Sequence, residues 1–523
     1  MNALARLAVV GLLVLLPGCT EKPAEPAPPS PPTQADVPPP LVPAMPLPEN
    51  AVDKAVAKLD GIAGELMRKS GIPGMAVAVV HQGKTVYSKG FGVKDVKTGD
   101  KIDTDTVFQL ASLSKPLTST VVAHQVGVDA IGWDTPIVSK LPWFALSDPV
   151  VTQMVTVGDM LSHRSGLPDH AGDMLEDIGH DRRYVLDRLR DFPLDPFRIS
   201  YAYTNYGFTS GAEAVAASAG KPWDVLADDV LFDPLGMPST SYRFADYESR
   251  ANRAIGHIHV DGSYEPRYIR DADPQAPAGG VSSSVNDMTR WLAMVLANGK
   301  HDGKQIVDAD ALLPAITPQI VSSPASEPAM RSGFYGFGFN TGTTSGARTE
   351  LSHSGAFELG AGTNFVILPS ADVAIVALTN ATPSGVPEAL TAQFADLVQF
   401  GEVREDWYGL YNKVFVEMEK PVGTLVGQHP PADPKPPAPL STYVGTYNND
   451  YWGTARVTEK DGKLVLALGP ELTVPLDHWD GNVFTFEFVT ENAPPGTISK
   501  ATFDGNKLVL EYYDESGKGT FTK

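Results

Sequence analysis

The sequence predicts a mixed α/β (α+β) domain, with sheet and helices in layers, followed by a small all-β domain. Helix and strand signals are interspersed between about residues 50 and 400, which is typical of helices packed on a sheet. Short alternating stretches with Asp-Gly turns then fill residues 441–523, and this pattern predicts an antiparallel barrel or sandwich. The chain of 523 residues is long enough for both domains.

The bulk composition excludes several classes of function. The 62 acidic and 41 basic residues give a formal net charge of −21, which argues against a nucleic-acid partner because phosphate binding depends on Lys and Arg. Cys19 is the single cysteine, so neither an intramolecular disulfide nor a cysteine-based metal site is expected. His257 and His259 share one face of a predicted strand, but no carboxylate cluster accompanies them, and we interpret them as structural. We expect no metal and no cofactor.

The N-terminus resembles a bacterial lipoprotein signal. An apolar run, Leu7–Leu16, is too short to span a bilayer and ends just before Cys19. The resemblance implies that Cys19 is lipid-modified, and the alternative is an ordinary secretory signal with an incidental cysteine. Between Pro23 and Pro48, 12 of 26 residues are proline, a composition that predicts an extended spacer. We therefore expect a lipid-anchored protein of the bacterial cell envelope, on the periplasmic side of a membrane.

A hydroxyl and an amine lie one helical turn apart near residue 112. Ser112 and Lys115 are three residues apart, and Leu117–His124 predicts a helix, so both side chains fall on one face. A helix N-terminus at Ser112 favours developing negative charge, and a serine becomes nucleophilic when a neighbouring base takes its proton. Ser218 and Lys221 repeat the spacing, but an Ala-Gly-Lys-Pro stretch predicts a helix end there, so we interpret this copy as coincidence.

Two later motifs single out the first copy. Tyr203-x-Asn205 and His353-Ser354-Gly355 follow Ser112-x-x-Lys115 in the order found in the serine β-lactamase and penicillin-binding protein superfamily, which the chain therefore resembles. The resemblance covers about residues 50–400 and is closest to the class C-like branch, which includes D-peptidases and esterases. It implies an antiparallel sheet packed by helices, with a mostly helical region beside it. Further stretches resemble the same family: Gly71–Met75, Leu161–Pro168 and Gly279–Ser283.

By this resemblance the motifs assemble an acyl-transfer site. Ser112 is the nucleophile, and either Lys115 or Tyr203 is the general base, a choice that the sequence leaves open. The resemblance also implies substrate-orienting residues and an oxyanion hole made of two backbone N–H groups. The orienting residues are Asn205, His353, Ser354 and Gly355, and the oxyanion-hole residues are Ser112 and Ala356.

His353 stands where efficient β-lactamases carry a lysine that helps to hold the substrate carboxylate. Histidine has an ordinary pKa near 6.5 and is mostly neutral at pH 7. We therefore expect a serine hydrolase acting on D-amino-acid-type peptides or small esters. The alternatives are a class C-like β-lactamase, a penicillin-binding sensor that is acylated without turnover, and a binding protein that uses the C-terminal domain.

The C-terminal domain resembles the lipocalin-like domain of some family members. Four aromatic residues could line a ligand cavity, but such a set is more often a barrel core. We expect the domain to abut the catalytic cleft, restricting substrate size, or to mediate homo-oligomer formation. The aromatic residues are Trp452, Trp479, Phe484 and Phe486.

Five segments follow from these observations. They are a lipoprotein signal peptide (1–18), a proline-rich tether (19–48), the β-lactamase-like hydrolase domain (49–420), a proline-rich linker (421–440) and the β-barrel domain (441–523).

Overall fold

An antiparallel sheet of eight strands organises the larger part of the computed structural model, which describes residues 43, 45–514 and 517–523. In chain order the strands are β1 (Gly74–His81), β2 (Lys84–Gly92), β3 (Ile320–Ser323), β4 (Gly333–Tyr335), β5 (Asn340–Thr343), β6 (Thr349–Phe357), β7 (Ala361–Leu368) and β8 (Val373–Thr379). They lie in the order β2-β1-β8-β7-β6-β5-β4-β3, so the first hairpin packs beside the last strand. The predicted mixed α/β class is confirmed.

The sheet separates two hydrophobic cores. Successive residues of a strand point to opposite faces, and in β1 Ala76 and Ala78 join one core while Val77 and Val79 join the other. The second core packs against helices from both ends of the hydrolase domain: Ala51–Val56, Leu59–Ser70, Val386–Phe400 and Trp407–Met418.

The first core packs against the predicted helical region, and this face of the sheet carries the predicted catalytic residues. Thr156 begins one of its helices with a capping box, because its side chain accepts from the backbone of Asp159 while Asp159 accepts from the backbone of Thr156. The longer helices of the region are Ser114–Gly127, Arg182–Arg188, Asn205–Ala219 and Val285–Leu296, and shorter ones span Pro149–Met154, Val157–Leu161, Asp173–Asp177 and Trp223–Ala227.

The C-terminal domain is a closed antiparallel barrel of eight strands, which resolves the choice between barrel and sandwich. Phe484 and Phe486 are buried in its core, whereas Trp479 is only partly buried. Trp452 is buried where the barrel meets the hydrolase domain, its carbonyl accepting from His180 at 3.4 Å. The strands are Gly445–Asn449, Gly453–Lys460, Lys463–Leu468, Leu472–Asp480, Val483–Glu487, Ile498–Asp504, Lys507–Leu510 and Thr520–Thr522.

Hydrogen bonds fasten the barrel to the hydrolase domain. The Asp177 carboxylate accepts from the Thr490 hydroxyl at 2.7 Å and from the Asn492 side chain at 2.9 Å. The Glu491 carboxylate accepts from the backbone N–H of Glu358, beside the turn between β6 and β7, at 2.9 Å. Both domains belong to one compact unit, Pro43–Lys523.

The predicted signal peptide, Cys19 and most of the tether lie outside the described residues. Within the part that the structure describes, no helix combines the length and the apolar character that crossing a membrane requires.

Candidate active site

Ser112 lies in a single 3₁₀ turn, Ala111–Leu113, that runs directly into the helix Ser114–Gly127. Ala111 has φ +48°, a left-handed conformation that costs free energy for a residue other than glycine. Two hydrogen bonds of Ser114 hold the turn in place. Its hydroxyl donates to the Ala111 carbonyl at 2.6 Å and accepts from the Val281 N–H at 2.9 Å. Ser112 is therefore held at the helix N-terminus.

The Lys115 side chain is fully buried and reaches back to the nucleophile. Its Nζ lies 3.1 Å from Ser112 Oγ, 2.7 Å from Asn205 Oδ1 and 2.9 Å from the Ala278 carbonyl oxygen. A neutral amine has two N–H donors and one lone pair. The Asn205 and Ala278 oxygens can only accept, so they take the two donors and leave the lone pair facing the Ser112 hydroxyl.

Burial lowers the pKa of Lys115 to about 7, although the charge of Asp173 opposes the shift. Removing an ammonium group from water disfavours its charged form. The hydrogen-bond partners of Nζ are neutral oxygens, those of Ser112, Asn205 and Ala278. A substantial fraction of Lys115 is therefore neutral at pH 7. The amine can accept the Ser112 proton at that pH.

Tyr203 has the opposite protonation behaviour. Burial raises its pKa well above 10, and a hydrogen bond with Ser112 only partly offsets this. Its ring lies under the amine of Lys115, with Nζ 4.5 Å from the ring centroid. The phenol therefore stays protonated at neutral pH and can donate a proton. Of the two bases left open by the sequence, the geometry and the pKa values favour Lys115.

Asn205, the first residue of the helix Asn205–Ala219, links Lys115 to two residues that sequence reasoning missed. Its Nδ2 donates to Asp173 Oδ2 at 2.7 Å, and the same carboxylate oxygen lies 2.8 Å from His170 Nδ1. That hydrogen bond raises the pKa of His170. Asp173 precedes Asn205 by 32 residues and belongs to no recognisable motif, so only the fold brings them together.

His353 is buried on β6, with both ring nitrogens in use. Nδ1 donates to the Ser354 carbonyl at 2.7 Å, so Nε2 accepts from the Tyr335 hydroxyl at 2.8 Å. Burial and the charge of Lys115 lower its pKa to about 3, and the ring is neutral at pH 7. Its ring centroid lies 6.3 Å from that of Tyr203, so it borders the site through packing.

The Ser354 side chain faces the opposite side of the sheet from Ser112, which corrects its predicted role in orienting substrate. Its hydroxyl accepts from Asn364 Nδ2 at 2.9 Å, and Asn364 accepts from Thr391 on the helix Val386–Phe400. Strand alternation explains the difference, because His353 and Gly355 point toward the nucleophile and the residue between them must point away.

Gly355 lets β6 pass directly against the nucleophile turn. A Cβ atom at this position would lie 2.3 Å from the Leu110 carbonyl oxygen, 2.3 Å from Thr363 Oγ1 and 3.0 Å from the Ser112 nitrogen. The close approach brings the strand that carries Ala356 beside Ser112. The oxyanion hole formed by the backbone N–H groups of Ser112 and Ala356 stays a prediction.

His163 and His257, which lie outside the motifs, make packing and hydrogen-bonding contacts within the hydrolase domain. His163 is buried with its ring 4.4 Å from that of Tyr203, and its Nδ1 accepts from the Thr204 N–H at 3.1 Å. His257 is likewise buried, with Nε2 accepting from the Val96 N–H at 3.2 Å. Among the described residues, no group of three or more potential metal-binding side chains occurs.

The second Ser-x-x-Lys copy lies at a helix end. Ser218 donates to the Ala130 carbonyl at 2.8 Å, and Lys221 pairs with Asp229 on the surface. Gly220 ends the helix with φ +66°. Neither side chain faces the other, so this copy is not a catalytic pair.

Two family models match the chain, one within the hydrolase domain and one over most of the barrel domain. Residues 59–400 match the Beta-lactamase family model. Residues 429–509 match the model described as Domain of unknown function (DUF3471). The lipocalin-like character of the barrel stays a prediction.

Individual relatives carry related names. The chain is 28% identical to an unguisins hydrolase of Aspergillus campestris over 410 residues, 73% of each protein. It is 33% identical to penicillin-binding protein 4 of Amycolatopsis lactamdurans, over 46% of this chain and 63% of that protein. Among solved structures, the octameric penicillin-binding protein homologue of Pyrococcus abyssi aligns with a TM-score of 0.58 at 18% identity, covering 90% of this chain and 100% of that one.

Proposed function

The chain belongs to the beta-lactamase family of serine hydrolases, and on that basis we propose that Ser112 forms an acyl-enzyme with D-amino-acid-type peptides or small esters in the bacterial cell envelope. The observation that carries the proposal is the position of the Lys115 amine, a substantial fraction of which is neutral at pH 7, with its lone pair facing Ser112 Oγ at 3.1 Å. The Lys115 amine thereby activates the serine without a metal or an external base.

Acylation follows from this arrangement in two steps. The Ser112 proton passes to Lys115 Nζ as Oγ bonds to the substrate carbonyl carbon, and the carbonyl oxygen takes up negative charge between the N–H groups of Ser112 and Ala356. One such donor contributes about 3–4 kcal/mol to transition-state stabilisation. The intermediate then collapses: the bond from carbon to the leaving group breaks, and the leaving group receives the proton from Lys115 through the protonated Tyr203. Water attacks the ester in the reverse sequence and frees the product acid.

The neutral state of His353 supports peptides and esters as substrates. A buried ring with a pKa of about 3 offers no positive charge to a substrate carboxylate. Both of its nitrogens are also occupied, by Tyr335 and Ser354. A substrate anchored chiefly through a carboxylate, as in efficient β-lactam hydrolysis, therefore finds no counter-ion at this position.

The relatives' names motivate two competing functions. A relative named penicillin-binding protein 4 makes penicillin a useful probe, and an enzyme-like rate with nitrocefin would favour a class C-like β-lactamase instead. An adduct that persists without hydrolysis would favour a sensor. The homologue of Pyrococcus abyssi is octameric, and we propose that this chain also forms a homo-oligomer. Light scattering of the purified protein tests this proposal.

The envelope location rests on Cys19 and the proline-rich stretch that follows it. Membrane fractionation of wild-type and Cys19→Ser protein tests this part. We expect the wild type in the membrane fraction and the variant in the soluble fraction, and wild-type protein in the soluble fraction would contradict the anchor.

The acyl donor is identified with a panel of D-aminoacyl amides, L-aminoacyl amides, short-chain esters and penicillins. We expect the D-aminoacyl compounds and short esters to give the higher kcat/KM. A preference for L-aminoacyl compounds or for penicillins would reject the proposed substrate class while leaving the serine hydrolase assignment in place.

A further inference from the structure

A loop of the barrel contacts the turn that follows β6. Phe357–Gly360 form a β-turn between β6 and β7, in which the Gly360 N–H donates to the Phe357 carbonyl at 2.9 Å. This hydrogen bond joins the first and last residues of the turn, so the N–H groups of the two central residues need acceptors from elsewhere. Both donate to Glu491, which lies in the barrel loop between the strands Val483–Glu487 and Ile498–Asp504.

The Glu491 carboxyl group binds both central residues of the turn. Its Oε1 accepts from the Glu358 N–H at 2.9 Å, and its Oε2 accepts from the Leu359 N–H at 3.4 Å. The Glu491 side chain is only 14% exposed, and burial raises its pKa well above the ordinary value while Arg270 opposes the shift. A carboxyl oxygen accepts hydrogen bonds in the ionised and in the neutral form of the group, so the contact with Glu358 does not depend on the charge.

The turn belongs to the strand that passes against the nucleophile. Ala356, which is predicted to supply an oxyanion-hole N–H, precedes Glu358 by two residues. The residue between them, Phe357, is buried in one small core with Ala111, the first residue of the 3₁₀ turn that holds Ser112. A displacement of the β-turn therefore moves Ala356 relative to Ser112.

Arg270 holds the same carboxyl group from another side. Its Nε lies 3.7 Å from Glu491 Oε2, and its Nη2 lies 2.9 Å from Glu176 Oε1. Its guanidinium carbon is 5.2 Å from the centroid of the Phe357 ring. The arginine thus keeps Glu491 beside the end of β6 and links it to a carboxylate of the hydrolase domain.

The neighbours of Glu491 fasten the loop at a different place. The Thr490 hydroxyl and the Asn492 side chain donate to Asp177 Oδ2 at 2.7 and 2.9 Å. Asp177 is the last residue of the helix Asp173–Asp177. Substitutions in one loop can therefore separate the docking of the barrel from the contact with the turn.

We propose that Glu491 is a positioning residue, through which the barrel holds the end of β6, and with it Ala356, in place beside Ser112. The contact of one largely buried carboxyl group with two N–H groups of the turn carries the assignment. It rests on the proposed function, because the position of Ala356 matters to the reaction only if Ser112 is acylated. It gives the barrel a part in catalysis that differs from restricting substrate size.

Two substitutions of Glu491 in the full chain test this role, with p-nitrophenyl acetate as the substrate. Glu491→Leu removes the acceptor, and we expect kcat/KM to fall about 10- to 100-fold, because a displacement of the reacting groups by about 1 Å costs up to about 100-fold in rate. Glu491→Gln keeps an oxygen for the Glu358 N–H and should stay within about threefold of the wild type. If Glu491 only docked the barrel, both variants would lower the Tm and leave kcat/KM of the folded protein unchanged.

Thr490→Val is the matched control in the same loop. Valine has the shape of threonine but lacks the hydroxyl that donates to Asp177. We expect a lower Tm with wild-type kcat/KM, since a hydrogen bond of the docked loop is lost while the contact with the turn remains. An equal fall of kcat/KM in Thr490→Val and Glu491→Leu, or a loss in Glu491→Gln as large as in Glu491→Leu, overturns the proposal.

Hydrogen exchange reports on the turn without any turnover. Mass spectrometry of the peptide that contains Glu358 and Leu359 should show faster amide exchange in Glu491→Leu than in the wild type. We expect wild-type exchange of this peptide in Thr490→Val. If Glu491→Leu does not fold, Glu491→Asp replaces it in both experiments, because its side chain is one methylene shorter and withdraws the carboxyl group from the turn.

These measurements separate the role of Glu491 from the proposed function. Failure of every ester to acylate wild-type Ser112 would reject the proposed function, and the exchange rates would still decide whether Glu491 holds the turn. Unchanged exchange in Glu491→Leu, or faster exchange with an unchanged kcat/KM, overturns the positioning role and leaves the serine hydrolase assignment in place.

Discussion

Asp173 fixes the side-chain amide of Asn205 in one orientation. Because a carboxylate only accepts, its 2.7 Å contact must be with the Asn205 NH₂ group, which turns Oδ1 toward Lys115. The charge of Asp173 also opposes the lowering of the Lys115 pKa. One buried carboxylate thus controls both the geometry and the protonation of the base.

Replacing Asp173 with Asn changes the pH profile as well as the rate. Loss of its charge removes the interaction that raises the pKa of Lys115, so the acid limb of kcat/KM moves to lower pH. The Asn205 amide is held less firmly, and kcat/KM at the plateau falls about tenfold, the equivalent of one hydrogen bond. A pH–rate profile with a short-chain ester measures both effects.

Asp181→Asn is the control for the loss of one negative charge. Asp181 caps the helix Arg182–Arg188 by accepting from the Tyr184 N–H, and asparagine caps helices equally well. We expect wild-type rates and an unshifted limb. If the acid limb of kcat/KM did not move in Asp173→Asn, the proposed effect of Asp173 on the Lys115 pKa would be refuted.

The free enzyme's pH dependence reports the base itself. Lys115 must be neutral to accept the Ser112 proton, and its pKa is lowered to about 7. The value of kcat/KM therefore rises as the pH increases through about 7 and then levels. Lys115→Arg stays charged at every accessible pH and should lose at least about 1000-fold in kcat/KM. Stopped-flow acylation from pH 5 to 10 measures this, and a rate that rises only above pH 9 would contradict Lys115 as a base with a pKa of about 7.

Gly355 has a steric role that alanine cannot fill. The added Cβ would meet the Leu110 carbonyl and the Ser112 nitrogen at 2.3 and 3.0 Å, so β6 and the nucleophile turn must separate. We expect Gly355→Ala to lose at least about 100-fold in kcat/KM, because a displacement of the reacting groups by about 1 Å costs about that much in rate. Gly342→Ala, on neighbouring β5, has nothing within 4 Å of the new atom and should keep wild-type activity. Equal activities of the two variants would contradict the close approach.

Much of the site followed from the sequence because it resides in three motifs with fixed internal spacing. The structure brings together five residues of these motifs: Ser112, Lys115, Tyr203, Asn205 and Gly355. The Asp173 link could not be predicted, because it depends on how a loop without a motif folds back onto the start of a later helix.

Local elements depend on packing as well as on the sequence pattern. The segment before β1 forms two helices, Ala51–Val56 and Leu59–Ser70. The barrel strand Leu472–Asp480 contains Pro475, and proline weakens a strand signal. Pairing with its neighbours forms the strand regardless.

His353 contributes to stability with a definite pH dependence. Its pKa is about 3 when folded and near 6.5 when unfolded. The unfolded state thus binds more protons between these values, and the histidine's contribution falls as the pH drops below 6.5. The slope is roughly 1.4 kcal/mol per pH unit well inside the window.

Buried carboxylates with raised pKa values, such as Glu176 and Glu388 at about 7, change the free energy of unfolding with pH in the opposite direction. The difference between wild type and His353→Gln therefore isolates the histidine. We expect the free energy of unfolding of the wild type, relative to that variant, to decline between pH 6 and 4 in urea titrations. If the free energies of unfolding of the wild type and of His353→Gln changed with pH in the same way, His353 would not be the buried neutral group described above.

The central claim is that Ser112 carries the acyl group, and intact-protein mass spectrometry tests it most directly. After mixing with N-acetyl-D-phenylalanine p-nitrophenyl ester, the wild type should gain the mass of one acyl group, mapped to Ser112, and lose it again as water hydrolyses the ester. Ser218→Ala, which removes the serine of the second Ser-x-x-Lys copy, should behave identically, and Ser112→Ala should gain nothing. An adduct on another residue, or an equal mass gain in Ser112→Ala, would contradict the account.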